Sequence, residues 1–217
     1  MNILELKNLS VSFKSRKSLT TLLKKNNLDA VIDNSFAIKD NSTYGIVGES
    51  GSGKTTLAKT ILGLLTTPNG NLRFNKKKID LSKKYRSKEF RKNVSMIFQD
   101  SIGSLSPRVK IKDLISEPFK IHKIHKINIK EEVHKLLESV GLSNDFLERY
   151  PHELSGGQAK RVSIARAIAL KPKLLIADEP TAGLDVSIQG EILNLLKSIQ
   201  NNQGMSILII SHNLSVI

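Results

Sequence analysis

The sequence of 217 residues contains no cysteine and no tryptophan. Without cysteine there is no disulfide framework and no metal site built from thiolates. No apolar run approaches the length of about 20 residues that a membrane-spanning helix needs. The first residues carry Glu5 and Lys7, so they form no signal-peptide hydrophobic region. These absences predict a cytosolic protein, and the length predicts one domain, with room for a smaller inserted lobe.

Acidic residues are also scarce, because 34 lysines and arginines face only 20 aspartates and glutamates, for a formal net charge of +14. Such a surplus is compatible with contact to nucleic acid or to an anionic membrane. Aromatic residues make up only 5% of the sequence and do not interleave with the lysine clusters. The composition therefore favours a solvated, lysine-rich surface over a nucleic-acid interface.

The most informative stretch is a glycine-rich loop with the pattern G-x-x-x-x-G-K-[ST], the phosphate-binding loop. An apolar run at residues 44–47 precedes it and a helical pattern follows, as the motif requires. Glycines let phosphate oxygens approach backbone N–H groups, and the N-terminus of the helix directs further N–H groups at the same anion. The loop is predicted to bind a nucleotide through Gly48, Glu49, Ser50, Gly51, Ser52, Gly53, Lys54, Thr55 and Thr56. Within it, Lys54 is expected to reach the β- and γ-phosphates, and the Thr55 hydroxyl to ligate Mg²⁺.

Two acids complete the chemistry that such a loop needs. The four apolar residues at 174–177 lead directly into Asp178 and Glu179. A carboxylate at the tip of a strand can hold Mg²⁺, which prefers oxygen ligands, and the acid beside it can deprotonate an attacking water. We therefore expect Asp178 to be a metal partner and Glu179 to be a general base.

Hydrophobic periodicity predicts an α/β protein. The apolar run at 174–177 and the mostly apolar run at 205–210 do not alternate regularly with polar residues, which is typical of parallel strands covered on both faces. Residues 101–150 change to helical periodicity and predict an inserted helical lobe, and an amphipathic helix is expected at 187–202. No element is assigned within the charged segment 75–92. Short strands are predicted at Ile3–Leu6, Leu9–Phe13, Ala30–Ile32 and Ser35–Ile38, with an exposed basic loop at 14–29.

Further motifs, taken with the glycine loop, make the sequence resemble the nucleotide-binding subunit of an ATP-binding-cassette (ABC) transporter. The segment Leu154–Gln158, with the sequence LSGGQ, is similar to the signature motif of that family. Gln99 stands where the family has its Q-loop glutamine, and residues 182–185 resemble its D-loop. His212 resembles the switch histidine, and Phe13 is the best candidate for the aromatic side chain that stacks on adenine. The order and spacing agree from residue 3 to residue 217.

The resemblance implies a P-loop NTPase core with a mostly parallel sheet, an N-terminal antiparallel β subdomain and an inserted α-helical subdomain. It makes residues 1–217 a single ABC ATPase domain, with a core at 1–100 and 155–217 and a helical lobe at 101–154. The implied cofactors are ATP and Mg²⁺.

In the family, two subunits sandwich two ATP molecules head to tail, and the signature loop of one closes over the γ-phosphate held by the other. The resemblance therefore implies that Ser155, Gly156, Gly157 and Gln158 contact nucleotide across a dimer. Gln99 would sense the γ-phosphate through Mg²⁺ and water, which makes it both a catalytic and a metal-site residue. His212 would contact the γ-phosphate and help to orient the water. Asp185 would link the two sites.

A finer resemblance is to the importer branch for oligopeptides, dipeptides and nickel, and within it to the second ATPase subunit. Such importers pair two different ATPases with two permeases, receive substrate indirectly from an extracytoplasmic binding protein, and place the ATPases on the cytoplasmic face of the membrane. No nucleic-acid partner is expected. The segments that carry this resemblance are Met96–Asp100, Ser104–Arg108, Arg149–Leu154 and Leu184–Gln189.

The family also predicts further strands and a helix after His212, whereas the sequence ends at Ile217. The sheet is therefore expected to be incomplete and the protein to be truncated at its C-terminus. Two alternatives stay open beside a transport ATPase. One is a soluble cassette ATPase acting on ribosomes or DNA, which the positive charge favours. Such proteins usually carry two cassettes or a long coiled-coil insert, and this sequence contains neither. The other is a remnant that binds nucleotide without turning over.

Overall fold

The computed structural model describes residues 1–14, 27–67 and 69–216. Within these ranges the strands fall into one antiparallel sheet and one parallel sheet. The antiparallel sheet is built from four strands, which are β1 (Asn2–Lys14), β2 (Asn27–Lys39), β4 (Asn71–Phe74) and β5 (Lys77–Ile79). The parallel sheet is built from β3 (Thr43–Val47), β6 (Val94–Ile97), β7 (Leu174–Asp178) and β8 (Ser206–Ser211).

Helices cover the parallel sheet and form the inserted lobe. They are α1 (Lys54–Leu62), α2 (Lys88–Asn93), α3 (Ile111–Ile121), α4 (Ile129–Ser139), α5 (Gly156–Ile168) and α6 (Val186–Gln203). Short 3₁₀ turns lie at Asn144–Glu148, Pro151–Glu153 and Leu214–Val216. None of the helices in the described ranges is long and apolar enough to cross a bilayer.

The parallel sheet has the strand order β3-β8-β7-β6, and this order brings the chemistry together. Strands β7 and β8 are buried along their whole length, which explains their uninterrupted apolar sequence. The register pairs Val47 with Ser211, and Asp178 with Ile210. All four strands therefore end at one edge, where ligands bind in open α/β sheets.

Two apolar clusters form the core. One joins α3, α4, α5 and α6 to one face of the parallel sheet, so that the inserted helices share their core with the strands. The other packs α1 between the opposite face of that sheet and the antiparallel sheet. The antiparallel sheet, the parallel sheet and the inserted helices confirm the predicted fold class.

The N-terminal strand predictions need correction. The two strands expected at residues 3–6 and 9–13 are one continuous strand, β1, which bulges where it passes Asn8. Asn8 adopts a left-handed φ of 51°, and its N–H donates to Ser35 Oγ at 2.8 Å on the neighbouring strand. Strand β2 is also continuous and starts at Asn27, so residues 27–29 of the predicted loop are extended backbone. Residues 15–26 of that loop lie outside the described residues.

The charged segment 75–92 is also more regular than predicted, since it contains β5 and α2. Ser87 caps α2 by accepting a hydrogen bond from the N–H of Phe90, whose side chain is buried. The buried Arg86 guanidinium donates to the carbonyls of Thr60 and Ile61 near the C-terminus of α1. The segment is therefore anchored by three separated buried side chains, Leu81, Arg86 and Phe90, which give it no hydrophobic periodicity.

Candidate nucleotide-binding site

The glycine loop connects the end of β3 to the start of α1. Gly53 precedes α1 with a φ of 91°, in the left-handed region that favours glycine. A Cβ atom at this position would lie 1.9 Å from the carbonyl oxygen of Ala30 on β2. The loop therefore requires glycine here both for its conformation and for its close approach to β2. Gly53 also has no side chain to cap α1, so the first N–H groups of the helix remain free for an anion.

Lys54 is folded back over this loop and is largely buried. Its Nζ donates to the carbonyls of Gly48 and Glu49, both at 2.7 Å, and lies 3.3 Å from Ser52 Oγ. The Ser52 N–H donates to the Glu49 carbonyl at 3.2 Å and closes the turn. The ammonium group is thereby held at the loop, where it can meet phosphate oxygens.

Asp178 ends β7 and is almost completely buried. The Thr55 hydroxyl is close enough to this carboxylate to favour its ionised form, whereas Asp178 Oδ1 has no hydrogen-bond partner among the described residues. Burial raises the pKa of Asp178, Thr55 opposes this rise, and the nearby Glu179 charge adds to it. A buried carboxylate oxygen without a donor, beside a hydroxyl, fits a divalent cation that prefers oxygen ligands. Asp178 and Thr55 therefore fit an Mg²⁺ site.

Glu179 follows Asp178 and is aimed by an unusual backbone conformation. It has a left-handed φ of 49°, and its N–H donates to the carbonyl of Ile210 on β8 at 2.9 Å. Its Oε1 lies 2.8 Å from Nδ1 of His212, whose side chain is 60% exposed against 11% for Glu179. A mostly buried carboxylate is thus paired with an imidazole that faces the solvent. This is an arrangement suited to activating a water molecule.

A cleft of about 630 Å³ lies at this site, and the buried Asp178 is not among the residues that line it. The cleft unites the glycine loop with Gln99, Glu179 and His212 from the ends of three parallel strands, and with Phe13 at the end of β1. The residues that line it are Phe13, Leu28, Ala30, Glu49, Ser50, Gly51, Gly53, Lys54, Thr55, Thr56, Gln99, Glu179 and His212.

Sequence reasoning missed two of these lining residues, Leu28 and Ala30. Leu28 is the direct cross-strand partner of Phe13, and both side chains border the cleft. The prediction placed Leu28 in a loop because the preceding segment is basic and polar. Had a strand been predicted from Asn27, Leu28 would have been placed beside Phe13, since cross-strand partners lie on one face of the sheet.

The signature residues, 155–158, do not line this cleft. Ser155 caps α5 by accepting from the Gln158 N–H at 3.3 Å, and Gln158 Oε1 accepts from the Ser155 N–H at 3.0 Å. A Cβ on Gly156 or Gly157 would contact Leu184 or Ile188, at the start of α6. The signature loop therefore packs beside the Asp185 region, and neither Asp185 nor residues 155–158 are among the residues that line the cleft.

Comparison with known proteins agrees with this geometry. Residues 31–182 match the family model described as ABC transporter. The protein belongs to the ABC transporter family. It is 44% identical to an oligopeptide transport ATP-binding protein, OppF, of Haemophilus influenzae, over 99% of this chain and 66% of that protein. It is 43% identical to the oligopeptide transport ATP-binding protein AppF of Bacillus subtilis, again over 99% of this chain and 66% of that protein. The ABC protein thus spans about two thirds of the length of these curated relatives.

Solved structures of ABC proteins have the same fold as this one. The protein cbiO1 from Clostridium perfringens, described as part of the ABC transporter complex cbiONQ, superposes with a TM-score of 0.82 at 30% identity. That match covers all of this chain and 80% of the other. A dimeric post-hydrolysis state of the ATP-binding cassette MJ0796, bound to ADP and Pi, superposes with a TM-score of 0.79 at 25% identity. It covers 98% of this chain and 89% of the other.

In the ABC protein free of metal and nucleotide, the buried Asp178 carboxylate should lower the stability of the fold. At neutral pH, Asp178→Asn should raise the free energy of unfolding by about 1–3 kcal/mol, because burial disfavours the ionised carboxylate more than the neighbouring lysines favour it. The raised pKa of Asp178 means that ionising it costs folding free energy at high pH. The gain should therefore shrink as the pH falls toward the ordinary value of 3.8, where the folded and unfolded states both become protonated.

The measurement is a denaturant titration with EDTA, beside the exposed control Asp40→Asn, which should be neutral. Adding Mg²⁺ and ATP should reverse the order, since only the wild-type carboxylate can then bind the cation. A less stable Asp178→Asn variant in EDTA at neutral pH would contradict this description of the carboxylate.

Proposed function

We propose that this protein is the ATP-binding and ATP-hydrolysing subunit of an ABC importer that takes up oligopeptides through partner permeases. The observation that carries the proposal is the convergence of the glycine loop, Asp178, Glu179, Gln99 and His212 at one edge of the parallel sheet. The names of the relatives support peptide over metal-chelate substrates, and transport over a soluble role on ribosomes or DNA.

The glycine loop supplies the triphosphate site. The free N–H groups at the start of α1 and the ammonium of Lys54 provide positive potential where the β- and γ-phosphates would lie. Thr55, Asp178 and Gln99 would hold Mg²⁺, which, when bound, neutralises the negative charge that develops on the phosphates. Phe13 and Leu28 would provide an apolar surface for the adenine ring at the other end of the cleft.

In the reaction, a water oxygen bonds to the γ-phosphorus while the bond from that phosphorus to the bridging oxygen of ADP breaks. Glu179 is placed to accept a proton from this water, because its carboxylate faces the cleft and its backbone is fixed by β8. His212 Nδ1 lies 2.8 Å from Glu179 Oε1 and so fixes this carboxylate. The exposed side of the His212 ring would face the position of the γ-phosphate. Catalysis then rests on positioning and on charge, with no covalent intermediate on the protein.

The signature residues give the reason for a dimer. Ser155 and the glycines after it form a second helix N-terminus, whose N–H groups and positive dipole end favour an anion as those of α1 do. This N-terminus does not line the cleft of its own subunit. We infer that Ser155–Gln158 completes the site of a second ATPase subunit in a head-to-tail dimer, with Asp185 between the two sites. Docking to two permeases would place the pair on the cytoplasmic face of the membrane, and residues 101–154 would form a helical lobe near them.

Phe13→Ala should weaken ATP binding about 5- to 150-fold, because stacking of a base on an aromatic ring contributes roughly 1–3 kcal/mol. Binding of inorganic tripolyphosphate should not change, since it has no base. Equilibrium titration of both ligands makes the comparison, and Tyr85→Ala removes an exposed aromatic ring outside the cleft as a matched control. Equal loss of affinity for the two ligands would show that Phe13 acts through the fold and not on the base.

The transport role is tested by purifying the tagged protein from its own membranes. We expect it to copurify with two permeases and a second ATPase, and we expect its deletion to abolish uptake of labelled oligopeptide. Copurification with nucleic acid or ribosomes, with peptide uptake unchanged, would support the soluble alternative instead.

A further inference from the structure

Helix α5, which begins at the signature motif, also holds the segment that contains Gln99. Three of its side chains, spaced three residues apart and so on one face, donate to backbone carbonyls of residues 99–104. The contacts are Lys160 Nζ to the Gln99 oxygen at 3.3 Å, Ser163 Oγ to the Ser101 oxygen at 3.4 Å, and Arg166 Nη1 to the Ser104 oxygen at 3.1 Å.

The segment 99–104 is itself a compact turn. Asp100 Oδ1 accepts from the Gly103 N–H at 2.8 Å, and the Asp100 carbonyl accepts from the Ser104 N–H at 3.2 Å. A Cβ on Gly103 would lie 2.1 Å from the Asp100 carboxylate, so a larger residue here would displace that carboxylate from the turn. Because these two hydrogen bonds close the turn, holding its carbonyls against α5 also restrains Gln99, from which the turn starts.

Lys160 is the unusual member of this set. It is 2% exposed, and its one hydrogen bond within the described residues goes to the Gln99 carbonyl. The carboxylates of Asp100 and Asp178 lie close enough to favour its charge. Burying an ammonium group is expensive, and an apolar side chain of similar length would serve the core at least as well. Stability alone therefore does not explain why a lysine is buried here in contact with Gln99.

We propose that Lys160 is a positioning residue that ties the backbone of Gln99 to the signature helix, so that the two respond to nucleotide as one unit. The functional part of this inference rests on the proposed ATPase activity. Gln99 lies on the cleft and Ser155 at the start of α5, so a shift of Gln99 toward a γ-phosphate would be transmitted to the signature loop of the same subunit. That loop would in turn act on the neighbouring subunit.

The tether itself is tested without nucleotide by hydrogen exchange of the wild type, Lys160→Met, Lys160→Arg and the exposed control Lys197→Met. In Lys160→Met we expect the amides of Gly103 and Ser104 to exchange several-fold faster, because their turn is no longer held at Gln99. Lys160→Arg keeps a buried cationic donor and should stay near the wild type, as should Lys197→Met. Unchanged exchange in Lys160→Met overturns the proposal, whatever the ATPase result.

The functional consequence is tested by MgATP turnover in the presence of the second ATPase subunit. For Lys160→Met we expect kcat to fall on the order of 10-fold, with ATP affinity and the thermal midpoint unchanged or higher and with recovery in Lys160→Arg. A fall in kcat that follows a lower thermal midpoint and is not rescued by arginine shows a merely structural lysine. Absence of turnover in the wild type is a failure of the proposed function, and the exchange experiment then still decides whether the tether exists.

Discussion

Gly53→Ala should abolish useful ATP binding, with affinity falling at least roughly 100-fold, or about 2.7 kcal/mol. Two penalties act together. The left-handed conformation costs a residue with a Cβ about 1–2 kcal/mol, and that Cβ would overlap the Ala30 carbonyl of β2 at 1.9 Å. Relief of the overlap must move either the loop or β2. Either movement displaces the N–H groups that face the phosphates.

The matched control is Gly190→Ala on α6, where a Cβ meets no atom within 4 Å. There the same substitution should leave ATP binding unchanged and should slightly stabilise the helix. Isothermal titration of both variants with ATP gives the comparison. Wild-type affinity in Gly53→Ala would mean that the loop does not hold the triphosphate in the conformation seen here.

Glu179→Gln should lower kcat for ATP hydrolysis roughly 10²–10⁴-fold, the usual contribution of a general base, while ATP binding is retained. The amide has the shape of the carboxylate and can still hydrogen-bond His212, so the geometry of the cleft should persist. What is lost is the ability to accept the proton of the attacking water. The variant should therefore accumulate bound ATP.

Single-turnover hydrolysis and nucleotide retention are the readouts, and Glu131→Gln on the exposed surface of α4 serves as the control. Undiminished hydrolysis in Glu179→Gln would remove Glu179 from the chemistry. Loss of ATP binding together with hydrolysis would instead assign it a role in shaping the site.

The central part of the fold and site could be predicted because local sequence determines it. The uninterrupted apolar run before Asp178 indicates a buried parallel strand, and an acid at its end must lie at the ligand-binding edge. The glycine loop could be assigned because an apolar strand pattern precedes it and a helical pattern follows it. Assignment of Gln99 and His212 depended instead on resemblance to a family, since a single glutamine or histidine has no local signature.

Other features depend on contacts between distant residues. Helix α2 buries one apolar residue, Phe90, and is supported by Arg86 through carbonyls of α1, so no hydrophobic period reveals it. Leu28 reaches the cleft only because β2 pairs with β1 beside Phe13. In the sequence, Lys160 looks like one more surface lysine among many. Its burial against Gln99 is visible only once α5 is packed on the sheet.

The measurement that tests the central claim most directly is ATP turnover per subunit at increasing protein concentration, alone and with the second ATPase subunit proposed above. The glycine loop, Gln99, Glu179 and His212 line one cleft, whereas the signature residues lie elsewhere on the same subunit. We therefore predict that turnover per subunit rises with concentration or on addition of the second ATPase, and that it saturates when the dimer is complete. Turnover per subunit that is independent of both, or ATP binding without hydrolysis under every condition, would contradict a site completed by a second subunit.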